Sequence, residues 1–395
     1  TLFPYTTLFR SIILLSLIFV FCFNLKVLAN DNLESSKEKI DNDSRIERFY
    51  DYINNLETEE DILGNMSAKE YIMNYLESGE DPITLKKIGA SILSYIFREL
   101  NIVLKFIASI LVIALLSALL KNLQDAFNIE EGVTQIAFFA CYALLIMLLT
   151  KSFFISLNLG KEVLTSIIDF MNVIVPVIVM LIATSGGVTS AVTIDPIVLG
   201  AVSITPRIYT YFLFPLILAY FTLQFVNNLS SEFKIDRMCK FIKQVVMISQ
   251  GFILTIFVGI LTLRGMTADT LDAVAVKTVK FAVDNFVPIV GKAFSDAITT
   301  VAGYSLAMKS VITSLGVIVI VVIVIYPIIK IGLMAICFKL TSAVIEPVVD
   351  SKISSSVETV GEALFMIMSC IISVSIMFFI MASMMATAGN FIVGG

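Results

Sequence analysis

The sequence predicts an all-α protein: a polytopic transmembrane helical bundle of seven to eight spans, with a small N-terminal extracytoplasmic helical module and amphipathic interfacial helices. Three observations lead there. The 395 residues are 58% hydrophobic and only 15% charged, whereas soluble domains are about 45–50% apolar and about 25% charged. So few charges cannot cover a water-soluble globule without leaving large apolar patches, so the excess must face lipid or other spans. Several apolar runs approach or exceed the roughly 20 residues that a helix needs to cross a bilayer. The alternating pattern of a membrane β-barrel is missing, so each spanning backbone must satisfy its own hydrogen bonds as a helix.

The chain opens with an address. Residues 12–23 form an apolar run of signal-peptide length, followed by Val27, Leu28 and Ala29, whose small residues suit cleavage between Ala29 and Asn30. An uncleaved anchor is the alternative. Residues 1–10 carry one positive charge and no Met, and are set aside as a truncated or foreign beginning. Residues 1–29 are thus read as a signal peptide and 30–100 as the extracytoplasmic module. In the module Ile46, Phe49, Tyr50, Ile53 and Leu56 recur at helical spacing. Ser67 and Glu70 form a capping box for a second helix, on which Tyr71, Ile72, Tyr75 and Leu76 share a face. Gly79 and Pro82 close it, and Leu85, Ile88, Ile92, Tyr95 and Ile96 lead towards the bilayer. At this size the module barely buries a core, and is expected on the membrane surface or against a partner.

The first part of the bundle, 101–266, contains apolar runs at about 102–120, 133–154, 167–183, 208–226 and 245–263; the second part, 311–395, contains runs at about 311–333 and 364–388. The stretch 227–244 holds Lys234, Arg237, Lys240 and Lys243, which the positive-inside bias places in the cytoplasm. Seven simple spans starting outside put it on the wrong side. An eighth crossing over 187–206 restores the parity, with a re-entrant loop as the other allowed form. Residues 267–310 are too polar for a simple span. Leu271, Val274 and Ala282, then Val290, Phe294, Ile298 and Val301, give them an apolar face suited to the interface or a vestibule. Lys330 and Lys339 are expected to snorkel to the headgroups.

Two passages echo each other: TSAV before Ile194-Asp195-Pro196-Ile197-Val198, and TSAV before Ile345-Glu346-Pro347-Val348-Val349. A proline frees a backbone carbonyl, and an acid at membrane depth needs water, a cation or a partner. Asp195, Pro196, Glu346 and Pro347 are therefore candidates for a polar path or gate, or else they sit at the interface and end helices. A weaker echo makes Pro176 and Pro288 candidate helix breaks, as in duplicated transporters, though chance similarity explains it equally well.

Chemistry is narrowed by what is missing. The chain has no His, which removes His-dependent triads, zinc proteases and His proton relays. Cys22, Cys141, Cys239, Cys337 and Cys370 show no CxxC spacing and read as buried or lipid-facing thiols. No metal site and no cofactor site is signalled, nor is there a basic, aromatic-rich groove for nucleic acid. Without a GxxxxGK[ST] loop, any ATP hydrolysis must come from another subunit. No GxGD pair or DDxxD cluster supports a membrane enzyme, so the chain is expected not to be one.

The order of parts, with TSAVTIDPIV, VKFAVDNFVPIVGKAFSDAITTV and TSAVIEPVVDSKISSSVETVGEAL, resembles the stage III sporulation protein AE family of endospore-forming bacteria over about 30–390. The resemblance implies a multipass protein of the mother-cell membrane around the forespore. It also implies partners: the other stage III A proteins, among them a separate ATPase, and a forespore-side protein with which they form a channel needed for late forespore development. Membrane lipid and a homo-oligomer are further expected contacts. The family supplies no catalytic residues. A channel or export-apparatus subunit is the leading expectation, with a non-conducting scaffold or a stand-alone small-molecule permease as alternatives.

Overall fold

The computed structural model describes residues 43–56, 67–78, 85–127, 131–229, 235–286 and 291–388; Ala29, Asn30 and Pro288 lie outside them. The described residues form α1 (Ser44–Asn54), α2 (Ala68–Ser78), α3 (Leu85–Phe127), α4 (Glu131–Thr184), α5 (Val188–Ile208), a π-helical turn (Tyr209–Leu213), α6 (Phe214–Leu229), α7 (Asp236–Phe286), α8 (Gly291–Ile345) and α9 (Ser351–Thr387). Among them, six stretches are long and apolar enough to cross a membrane. The helices run continuously through positions 100, 266 and 310.

The polar module folds as its pattern requires. Asp43 caps α1 by accepting from Arg45 N–H at 2.8 Å. The capping box of α2 is complete: Glu70 N–H donates to Ser67 Oγ at 3.2 Å and Ser67 N–H to Glu70 Oε2 at 2.8 Å, which satisfies two donors at a helix start. Ile46, Phe49, Tyr50 and Ile53 are buried, as are Tyr71 and Ile72. What they bury against is the bundle itself, α1 packing on α4 and α2 on α8. The face expected on the membrane surface or against a partner is thus covered within the chain.

The expected spans 133–154 and 167–183 belong to one helix. α4 has 54 residues, about 80 Å at 1.5 Å per residue. Its inward face is continuous through the polar interval, where Leu157, Val163 and Leu164 are buried. The expected break at Pro176 does not form; the proline lies inside α4, which continues to Thr184. Neighbouring elements can compensate the lost backbone bond of a proline in a packed membrane helix. α4 ends in a Schellman turn. Gly186, at φ 99°, donates to Ala183 O at 3.1 Å, and Gly187 donates to Ile182 O at 2.9 Å. That backbone conformation favours glycine.

The chain then folds back along α4 as α5. Residues 187–206 are therefore neither a re-entrant loop nor a separate crossing, but the first half of a rod that continues through the π-turn into α6. Pro206 lies just before the π-turn; it brings no N–H. At the far side of that turn Phe214 N–H donates five residues back to Tyr209 O. Three rods thus separate the module from the basic stretch 227–244: α3, α4 and α5–α6. The number is odd.

α9 is the axis of the bundle. α8, α4, α6 and α7 pack around it, while α3 lies on α4 and α8. Ile367, Ile371, Val374, Met377, Phe378 and Met381 fill the contact. α3 is joined to α8 by Tyr95 against Tyr326, edge-on at 4.7 Å, and by an ion pair from Lys330 to Glu99 at 3.2 Å. Lys330 therefore does not simply snorkel: its partner Glu99 is 3% exposed. Lys339 lies 5.6 Å above the Phe365 ring, and its stem crosses Gly361, where a Cβ would stand 2.9 Å from Lys339 Cγ. The amphipathic region 267–310 is helical, as extensions of α7 and α8 and not as separate elements; the side chains of 263–300 lie outside the described residues.

Candidate functional site

The sequence-predicted acid–proline pairs occupy different settings. Asp195 and Pro196 lie inside α5, which continues past them; Pro196 is exposed, and the Asp195 side chain lies outside the described residues. Glu346 and Pro347 stand exposed in the turn after α8, with Glu346 N–H donating to Ser342 O at 3.0 Å. Glu346 thus closes a helix. Thr184, just before α5, bonds Ser305 of α8 at 3.0 Å, and Glu346 lies 41 residues beyond Ser305. At 1.5 Å per residue the two pairs are on the order of 40 Å apart along the bundle. They do not meet in one site.

A different set of polar groups does converge, along the face of α9 that meets α6 and α7. Lys243 of α7 donates to Glu362 Oε1 at 2.8 Å, and Tyr220 of α6 donates to Glu362 Oε2 through a short hydrogen bond. One carboxylate thereby joins three helices. One turn before it, Asn228 of α6 donates to Thr359 at 3.2 Å. Two turns after it, Ser369 donates to Gln250 of α7 at 2.8 Å, and the Gln250 amide reaches Cys370 Sγ at 3.0 Å. Tyr209 of the π-turn and Ser373 share a bond of 2.7 Å, and on another side Tyr142 of α4 and Ser356 share one of 2.9 Å. From Thr359 to Ser373 this seam runs about 21 Å along α9.

The clamp is half-buried. The side chains of Lys243 and Glu362 are 33% and 24% exposed, and Lys339 adds a second positive charge nearby. A half-buried pair of this kind gains only modestly from its charges, yet removing one member leaves the other partly desolvated without its partner. The seam holds neither a nucleophile–base pair nor a cluster of metal ligands; among the described residues no group of three or more His, Cys, Asp or Glu could hold a metal. Cys239, Cys337 and Cys370 are buried and Cys141 half-buried, in keeping with inert thiols. A second inward cation, Lys309, is 1% exposed and donates to Ala388 O at 2.5 Å, where a positive charge also meets the negative end of the α9 dipole.

Lys243 stood out in the sequence only as one of the basic residues of 227–244, and Glu362, Tyr220 and Gln250 did not stand out. Glu362 and Lys243 sit at the edges of the apolar runs 364–388 and 245–263. The detectable signal was the Ser/Thr-rich approach of α9, from Ser351 to Thr359, which keeps helical periodicity straight through Glu362.

Long apolar helices around a filled core, tied by a sparse set of internal polar bonds, define a polytopic helical membrane protein. Within that class the comparisons are specific. The family described as "Stage III sporulation protein AE" matches residues 66–389, and the chain belongs to that family. It is also similar to the stage III sporulation protein AE of Bacillus subtilis (strain 168), at 26% identity over 344 residues, covering 87% of this chain and 86% of that protein. No solved structure matches the chain.

Proposed function

We propose that this stage III sporulation protein is a non-enzymatic, multipass subunit of a channel or export apparatus that links mother cell and forespore and is required for late forespore development. The observation that carries the reading is the Lys243–Glu362–Tyr220 cluster. Ionisable groups held between membrane helices are costly, and are expected where a bundle must pass polar cargo or change shape. The family resemblance supplies the setting: the mother-cell membrane around the forespore, other stage III A proteins including a separate ATPase, and a forespore-side partner. The odd number of rods before the basic stretch supports an extracytoplasmic module, because Arg237 and Lys240 then face the cytoplasm.

One observation favours a second reading, a non-conducting scaffold. Both Glu362 oxygens have partners, so the cluster can serve as a static clamp. Apolar replacement separates the two. Lys243→Met, Glu362→Leu and Tyr220→Phe together keep the volume and remove every charge and bond of the cluster. If spore formation fails while membrane abundance and co-isolation of the stage III partners stay normal, the cluster serves transport. Normal heat-resistant spore yields from the triple variant would leave the scaffold.

A further inference from the structure

Two exposed apolar belts, on opposite sides of the bundle, stand at different heights. Gly160 of α4 gives a common reference, since a Cβ there would come within 3.0 Å of Ile367 of α9 and 3.2 Å of Phe214 of α6. α7 climbs α9 in step: Lys243 meets Glu362 and Gln250 meets Ser369, so Ile248 stands level with Ile367. α4 and α7 both pack on α9, and α8 packs on both of them. α6 fills the remaining side, packed on α7 and stacked through Phe221 on Phe153 of α4. α4 and α7 therefore face outward in opposite directions.

Below the reference, on the side of the α8–α9 turn, the exposed face of α4 is apolar from Ile136 to Ile155, with Lys151 its one charge. That length is about 29 Å, the thickness of a hydrocarbon layer. From Asn158 upward the exposed positions are polar, among them Glu162, Thr165 and Asp169. α7 is arranged the other way round. At the reference and above it, Met247, Ile248, Phe252, Ile256 and Ile260 are exposed. Below it Arg237, Lys240 and Gln244 are exposed, interleaved with Met238 and Phe241. α6, between the two, exposes large apolar side chains from Ile204 to Val226. At 1.5 Å per residue the midpoint of the belt lies about 22 Å below the reference on α4, within about 2 Å of it on α6, and about 8 Å above it on α7.

We infer that lipid acyl chains cover both belts and that the bundle stands obliquely in the bilayer, its upper end leaning towards the α7 side. Both belts belong to stretches that can cross a membrane, so one layer must serve them together. A layer square to the bundle axis cannot: at the height of Phe252 it would bury Glu162, and at the height of Met147 it would bury Arg237. The bundle is about 30 Å wide, from two interaxial spacings and the outer half of two helices. The offset of the belts then asks for a lean on the order of 40°, the steep end of the range for membrane helices. Leaning turns the polar face of α4 away from the bilayer, together with α1, which Tyr52 holds there by donating to Ser166 O at 3.4 Å. It brings the continuation of α7 beyond Leu261 down towards the headgroups, a setting that suits an amphipathic stretch. The inference needs only the membrane class of the protein, not the channel reading.

Nitroxide labels on single cysteines test this in the full chain, with its own cysteines replaced, in vesicles of phosphatidylcholine and phosphatidylglycerol. Power saturation compares access of oxygen, which concentrates in lipid, with access of a water-soluble nickel chelate. Two pairs at matched heights decide: Glu162→Cys with Phe252→Cys above, and Met147→Cys with Arg237→Cys below. Phe252→Cys and Met147→Cys are expected to favour oxygen several-fold, and Glu162→Cys and Arg237→Cys the chelate, so that the lipid-facing side switches between the two heights. If both members of a pair give the same signature, the bundle is upright and the inference falls. If Phe252→Cys is closed to both reagents, protein covers α7, as a second copy seated on Gly251, Thr255 and Gly259 would, and the inference falls as well. Thr165→Cys with Ile256→Cys, and Leu144→Cys with Lys240→Cys, give the same comparison about a turn away should one of the first variants not assemble.

Discussion

The packing of α4 on α8 can be tested at a single atom. A Cβ on Gly316 would lie 2.2 Å from Ile174 Cδ1, whereas carbon atoms settle at about 3.5–4.0 Å. Ile174 is itself buried, so Gly316→Ala must push it off its rotamer or part the helices. Overpacking of this kind costs about 1–3 kcal/mol, offset by the gain of about 1 kcal/mol for Ala over Gly in a helix. The net expectation is a loss of up to about 2 kcal/mol. Ile174→Val removes the offending Cδ1; the next atoms, Phe170 Cζ at 3.6 Å and Ile174 Cγ1 at 3.7 Å, are at ordinary contact distances. Alone, that change costs about 1 kcal/mol. In the double variant the clash is gone and the helix gain remains, so its stability should approach that of the unaltered chain, a coupling of about 2 kcal/mol. Thermal unfolding of the four proteins in detergent measures it. If the two effects simply add, the register of α4 on α8 is wrong.

Three further expectations follow from other contacts. Lys330→Met leaves Glu99 buried without its cation and should cost about 3 kcal/mol, while Lys330→Met with Glu99→Leu should recover most of it; thermal unfolding of both variants decides. Burial, helped by the nearby Asp169 charge, pushes the Tyr52 hydroxyl up to about 12. Because the docked state holds this proton more tightly than the free one, docking of the module is fully supported below pH 10 and weakens as the pH rises through about 12. Tyr52→Phe should remove that alkaline step from the protease sensitivity of the module, and an unchanged step would assign it elsewhere. Glu346→Gln, in an exposed turn, should leave spore yield unchanged; a loss at normal abundance would return Glu346 to the polar path.

The sequence carried the helices but not their joints. The buried face of α1 and the capping box of α2 were legible because both depend on residues three or four positions apart. The fusion of 133–154 with 167–183 was hidden, because a hydropathy average over 155–166 mixes Asn158, Glu162 and Thr165 on one face with Leu157, Val163 and Leu164 on the other. Pro176 read as a break because proline is costly in an isolated helix, and packing against neighbours overrides that local preference. The module's partner was hidden too: an apolar face shows that something must cover it, and says nothing of what.

What the sequence determined by itself was the solvent and the class. Composition and run length send this chain into a bilayer as helices, because both are sums over neighbours along the chain. The tertiary structure alone decided which charges meet. Glu362 finds Lys243 119 residues away and Tyr220 142 residues away, and Glu99 finds Lys330 across two helices. Such pairs form only after the rods have packed, since the cost of burying each charge is repaid by a partner that no local pattern can name.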